Sequence, residues 1–170
     1  MSTVWFTADT HFSHDNIIKY CSRPFKNVKE MNTKIIENWN SVVGEHDTVY
    51  HLGDFVFTKF ETEIQMLTKH LKGHIHLMLG NHDHLLRHHK HLWNYFASVS
   101  DSYKEIKYAK QSMTLCHYAL RVWNKSHYGA WNLYGHSHGT LEGLKNQMDV
   151  GVDCNNFTPI SFDQIREKLK

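Results

Sequence analysis

The chain has 170 residues, 41% of them hydrophobic, enough for one domain with a sizeable core and too few for two. A formal charge of +2 does not by itself indicate a nucleic-acid binder, and no stretch nears the roughly 18 consecutive apolar residues of a membrane span. The compositional anomaly is 16 histidines, while Cys21, Cys116 and Cys154 lack the pairing of a disulfide framework or a zinc ribbon. With no signal-peptide layout at the start, these features predict a cytoplasmic protein with reduced thiols and no membrane partner.

Thr3 to Ala8 is short and β-prone and ends in Asp9, which reads as a buried strand delivering a polar group to a loop. From Val28 to Val43 the apolar residues Val28, Met31, Ile35, Trp39 and Val42 recur every three or four positions, predicting an amphipathic helix stopped by Gly44. The pattern repeats with a strand from Thr48 to Leu52 ending at Gly53-Asp54, a helix from Glu61 to Leu71, and a strand from Ile75 to Leu79 ending at Gly80-Asn81-His82-Asp83. Such alternation predicts an α/β layered fold with parallel strand pairs. After a histidine-rich segment read as helical, Glu105–Ala109, Ser112–His117, Asn132–Gly135 and Met148–Val152 are short candidate strands without long helices between them, which predicts a second sheet. Pro159 marks a turn, and Ser161 with Gln164 forms a capping box for a last helix, Phe162 to Leu169, with Ile165 and Leu169 facing inward.

Metal-capable side chains recur just after the predicted strands: Asp9 and His11, Asp54, Asn81 with His82 and Asp83, an isolated His117, and His136 with His138. Ligands gather at the carboxyl ends of strands in layered α/β proteins, so these positions are where residues distant in sequence should converge. A mixture of carboxylate, amide oxygen and imidazole suits divalent manganese, iron, zinc or nickel, and a carboxylate such as Asp54 can bind one ion through each oxygen or share one between two. Alone, Asp9 or Asp54 could cap a turn and His117 could be a core histidine.

In order, Asp9-x-His11, Gly53-Asp54, Gly80-Asn81-His82-Asp83, His117 and Gly135-His136-Ser137-His138 resemble the motif series of the calcineurin-like metallophosphoesterases, in the small bacterial or phage form. The resemblance spans most of the chain. It implies a four-layer αββα sandwich of two mixed β-sheets flanked by helices, formed by residues 1–170 as a single domain without a cap. It further implies two divalent ions, manganese foremost, one held by Asp9, His11, Asp54 and His138 and the other by Asp54, Asn81, His117 and His136. His82 would then stabilise the phosphoryl transition state and help protonate the leaving oxygen, with Asp83 orienting its ring. The implied reaction is hydrolysis of a phosphate ester by a hydroxide shared between the ions.

An open centre favours a phosphodiester of a nucleotide or short nucleic acid, with a phosphomonoester or a regulatory metal module without turnover as alternatives. Arg121 to Trp131 interleaves basic and aromatic residues and could stack a base, although packing of that loop onto the sheet accounts for it better. Arg23 is a second candidate anion contact, again against a packing role. His14 is read as a solvated loop residue, with contact to the site as the alternative. His84, His88, His89 and His91 are read as a solvated helix surface lacking acidic partners, and His74 and His76 as the less buried face of a strand.

Overall fold

A computed structural model describes residues 2–101 and 103–170. Its strands are β1 (Val4–Thr7), β2 (Thr48–His51), β3 (His74–Met78), β4 (Ser98–Ser100), β5 (Tyr103–Tyr108), β6 (Gln111–Cys116), β7 (Trp131–Tyr134), β8 (Gln147–Asp149) and β9 (Ile160–Ser161). Its helices are α1 (Asp15–Tyr20), α2 (Val28–Val42), α3 (Glu61–His70), α4 (His84–His88) and α5 (Phe162–Lys168).

The strands form two mixed sheets, one ordered β4-β3-β2-β1-β9 and the other β5-β6-β7-β8. In the first, β1 to β4 pair in parallel and β9 joins β1 antiparallel; in the second, β5 and β6 are antiparallel while β7 and β8 extend the sheet in parallel. The chain is therefore an α/β protein with the layering of a calcineurin-like sandwich.

Strand alternation sorts the apolar residues into two cores. Val49, Ile75 and Leu77 point outward to Met31, Ile35 and Trp39 of α2 and Ile64 and Leu67 of α3. Val4, Phe6 and Met78 point inward, against Met113, Leu115, Trp131 and Leu133 of the second sheet, and Phe162 and Ile165 of α5 complete that core. Asn27 accepts a hydrogen bond from the Glu30 amide and caps α2, a contact of about 1 kcal/mol, while each fully buried side chain of its apolar stripe contributes about 1.5–3 kcal/mol. On its outer face the second sheet carries the segment 118–130, tied down where Asn132 Oδ1 accepts from the Leu120 amide and Gln147 donates to the Leu120 carbonyl.

The long elements match the sequence periodicity, and both halves of the Ser161–Gln164 capping box are present. Three short elements, α1, β4 and β9, were not anticipated; six, three and two residues carry too little periodicity to register. In the first sheet, Thr7, His51 and Leu77 lie in one register row, so the residues that follow β1, β2 and β3 emerge along the same edge.

Candidate metal centre

At that edge the backbone is bent by the residues expected to bind. Asp9 (φ 57°), His11 (48°), Asp54 (56°), His136 (68°) and His138 (47°) all adopt the left-handed conformation, which costs a residue with a Cβ about 1–2 kcal/mol. Five such residues at one place mark a site whose surroundings hold an unfavourable backbone in place. Two glycines leave room for it: a Cβ on Gly80 would sit 2.2 Å from Asp54 Oδ1, and one on Gly135 would sit 2.6 Å from Asp9 Oδ2.

The structure brings the predicted residues together in two groups, Asp9 with His11 and His138, and Asp54 with His117 and His136. Asp54 Oδ2 lies 3.4 Å from both His11 Nε2 and His117 Nε2. His117 donates from Nδ1 to the Leu52 carbonyl (2.7 Å), which turns its Nε2 lone pair toward Asn81 Oδ1 at 2.9 Å. With Nδ1 committed as a donor, His117 Nε2 faces the oxygens of Asn81 and Asp54, an arrangement satisfied either by a proton on that nitrogen or by a cation held among the three. In the other group Asp9 Oδ1 and His11 Nε2 are buried with no hydrogen-bond partner. Buried polar atoms without partners are costly, so the donor set fits divalent metal ions in both groups.

The electrostatics agree. Burial, reinforced by Asp54 and Asp149, pushes the Asp9 carboxyl up to about 7 against the pull of His117 and His138. Burial drives the His11 imidazole down to about 2 despite Asp54. Burial would raise Asp54 too, but its contact with His117 and the charges of His117 and His11 hold it well below the usual carboxylate range. For His117 burial is outweighed by Asp54 and Asp9, which raise it to about 8. A cation placed among these groups would favour the ionised carboxylates and neutral imidazoles that metal binding requires.

The supporting residues hold the corrections. Arg23 is not an anion contact: it is buried, donates to the carbonyls of Asp9 (2.7 Å) and Thr10 (3.1 Å), and grips Asp153 through Nε and Nη2. Asp153, which the sequence reading missed, in turn accepts from His138 Nδ1 at 2.7 Å and leaves His138 Nε2 free. Asp149, also missed, takes Ser137 Oγ and the amides of Gly139 and Gly151, shaping the turn that carries His136 and His138.

Asp83 does not orient the His82 ring. Its carboxylate accepts from the amides of Gly80 (2.9 Å), Asp54 (2.8 Å) and Phe55 (2.9 Å), pinning one loop against the other. Burial and the nearby Asp54 push it up to about 6 against those hydrogen bonds. The His82 ring lies outside both groups, edge-on to His11 with centroids 5.2 Å apart, and its amide donates to Asp54 Oδ1.

His14 is not a solvated loop residue; it is buried, 3.3 Å from His11 Nδ1 and stacked on Phe57. His89 and His91 do have an acidic partner: Glu61, at the start of α3, meets each of them at 2.9 Å. The pairing was hidden because Glu61 lies about thirty residues away in sequence. Between Arg121 and Trp131 the tryptophans serve packing, Trp123 donating to the Ala130 carbonyl and Trp131 lying in the inner core.

The calcineurin-like phosphoesterase family model matches residues 2–154. An uncharacterised protein of Methanocaldococcus jannaschii is 33% identical over 97% of this chain and 90% of its own length. The Gene 66 protein of Mycobacterium phage L5 is 35% identical over 49% of this chain, a match spanning 41% of the phage protein. A crystal structure of a protein of unknown function from Aquifex aeolicus superposes with a TM-score of 0.79 at 27% identity, covering 99% of this chain and 100% of that one. The chain belongs to the calcineurin-like phosphoesterase family, whose members hydrolyse phosphoesters with divalent metal ions.

Proposed function

We propose that the protein is a two-metal phosphodiesterase acting on a nucleotide or a nucleic-acid-derived phosphodiester. The observation that carries the reading is the position of Asp54 Oδ2, 3.4 Å from an imidazole nitrogen of each ligand group, where a single carboxylate oxygen can serve two ions. Asp9, His11, Asp54 and His138 would hold one ion, and Asp54, Asn81, His117 and His136 the other. Manganese is the ion we favour, since oxygen and imidazole donors are mixed without thiolate. Cys21, near His138 and Asp153, does not change this, because burial pushes its thiol up to about 11.

When bound, such ions supply Lewis acidity and lower the pKa of a coordinated water. The chain contributes position and proton handling. Leu52 fixes the tautomer of His117 and Asp153 that of His138, so both present a lone pair to the centre. Asp83 holds the Asp54 loop against the Gly80 loop, a positioning role. His82, outside both groups, can donate a proton to the departing oxygen and stabilise charge on the phosphoryl group. His136 is exposed, so the centre is open, in keeping with a single domain without a cap and with a diester substrate. Its three unpaired cysteines fit work in the cytoplasm.

The test is turnover of bis-p-nitrophenyl phosphate and p-nitrophenyl phosphate by protein stripped with chelator and reloaded with manganese. Activity that returns with manganese and favours the diester is the expected result. Preference for the monoester would make the protein a phosphomonoesterase, and reloaded protein without turnover would make it a metal-binding module.

A further inference from the structure

Beside the metal centre lies a groove of about 550 Å³, within the size range of small-molecule sites, that the family motifs do not account for. Its inner wall is shared with the centre. His82 and His14 line it, and His14 is in turn 3.3 Å from the proposed ligand His11. From there the rings continue outward: Phe57 stacks on His14 with centroids 4.3 Å apart and meets His82 edge-on at 5.8 Å. Phe60, 71% exposed, forms the outer part, and Lys59 adds a cation beside it. Two partly or largely exposed phenylalanines, 45% and 71%, within four residues of one loop are costly to display to water.

We infer that this groove is a specificity subsite, in which a nucleobase on one ester arm of the substrate stacks against Phe57 and Phe60 while its phosphate occupies the metal centre. This rests on the phosphoesterase reading above and adds where on the protein the base of such a substrate is held. Three features favour a base over an aliphatic chain. The apolar part of the lining comes from aromatic side chains, whose rings can stack on planar groups. Polar side chains, among them Asn16 and Thr58, also line the groove and can meet the edges of a base. The groove is also continuous with the centre through His82, so one molecule can reach both. Stacking of a base on an aromatic side chain contributes about 1–3 kcal/mol, a factor of roughly 5–150 in affinity.

The test is calorimetric titration of manganese-loaded protein with inorganic phosphate, ribose 5-phosphate and adenosine 5′-monophosphate, repeated with Phe60→Ala. Phe60 is largely exposed, so the variant should fold. The expected result is that the nucleotide binds about tenfold or more tightly than ribose 5-phosphate, and that the ratio falls toward one in Phe60→Ala while phosphate affinity is unchanged. Phosphate binding with no preference for the nucleotide, or a preference untouched by Phe60→Ala, would overturn the subsite and leave the phosphoesterase reading standing. A further titration with n-hexyl phosphate should give weaker binding than the nucleotide; tighter binding would overturn the base in favour of an aliphatic arm. Failure of manganese-loaded protein to bind any of the three would overturn both readings.

Discussion

The two ligand groups are not built alike. Asp9, His11 and His138 stand on a scaffold of charge, where buried Arg23 ties the Asp9 carbonyl to Asp153 and Asp153 ties down the His138 ring. Asp54, His117 and His136 are held by hydrogen bonds to backbone groups: Asp83 takes the Asp54 amide, the Leu52 carbonyl takes His117 Nδ1 and Asp9 takes the His136 amide, while the His136 side chain faces solvent. One group is braced by a buried ion pair, the other by hydrogen bonds between loops, with its outermost ring open to solvent. The difference teaches that two neighbouring sets of candidate ligands can be fixed by different means, one by charge and one by backbone.

The strongest challenge to that division is Asp54→Ala, which removes the shared oxygen. Both ions should be lost by elemental analysis and diester turnover should fall to background; retention of one ion would show that the groups are independent. Next in size is His82→Ala, expected to slow turnover about 10²-fold or more with metal content unchanged, since the ring lies outside both groups. Metal loss in this variant would make His82 a ligand and redraw the open half.

A smaller effect should distinguish the braced half. Asp153→Asn is expected to weaken one of two manganese-binding steps about 10–100-fold and leave the other in place. Equal weakening of both would erase the contrast. The smallest effect concerns acid. Burial drives His51 from 6.5 down to about 3 in the folded state, where it stacks near Trp39 and contacts Thr10. A depressed folded pKa means that its contribution to stability is full above about pH 6.5 and is lost as pH falls toward 3. Denaturant midpoints of metal-free protein should therefore drop between pH 6.5 and 4, less steeply in His51→Gln; equal slopes would place the acid lability in the ligand histidines.

What could be read from the sequence depended on reach. The stripe of Met31, Ile35 and Trp39 announces α2 because its spacing is local, and Asp9, Asp54 and Asn81 announce the centre because each follows a strand. Arg23 and Asp153 are 130 residues apart, and no spacing rule joins them. Asp83 was legible as important but not in its role, since a carboxylate after His82 can serve a ring or a set of amides and only the fold decides. Phe57 and Phe60 sit in a loop without periodicity, so their groove had no sequence signal.

One contact among several joins the edges of the two sheets: the His136 amide, just after β7, donates to Asp9 Oδ2, just after β1, at 2.8 Å. The strands β1 to β4 that deliver the Asp9, Asp54 and Asn81 turns are consecutive in the chain, whereas His117, His136 and His138 come later, from the second sheet. The candidate centre is thus divided along the chain as well as in space: its carboxylates lie in the first half, and three of its four candidate imidazole ligands lie in the second.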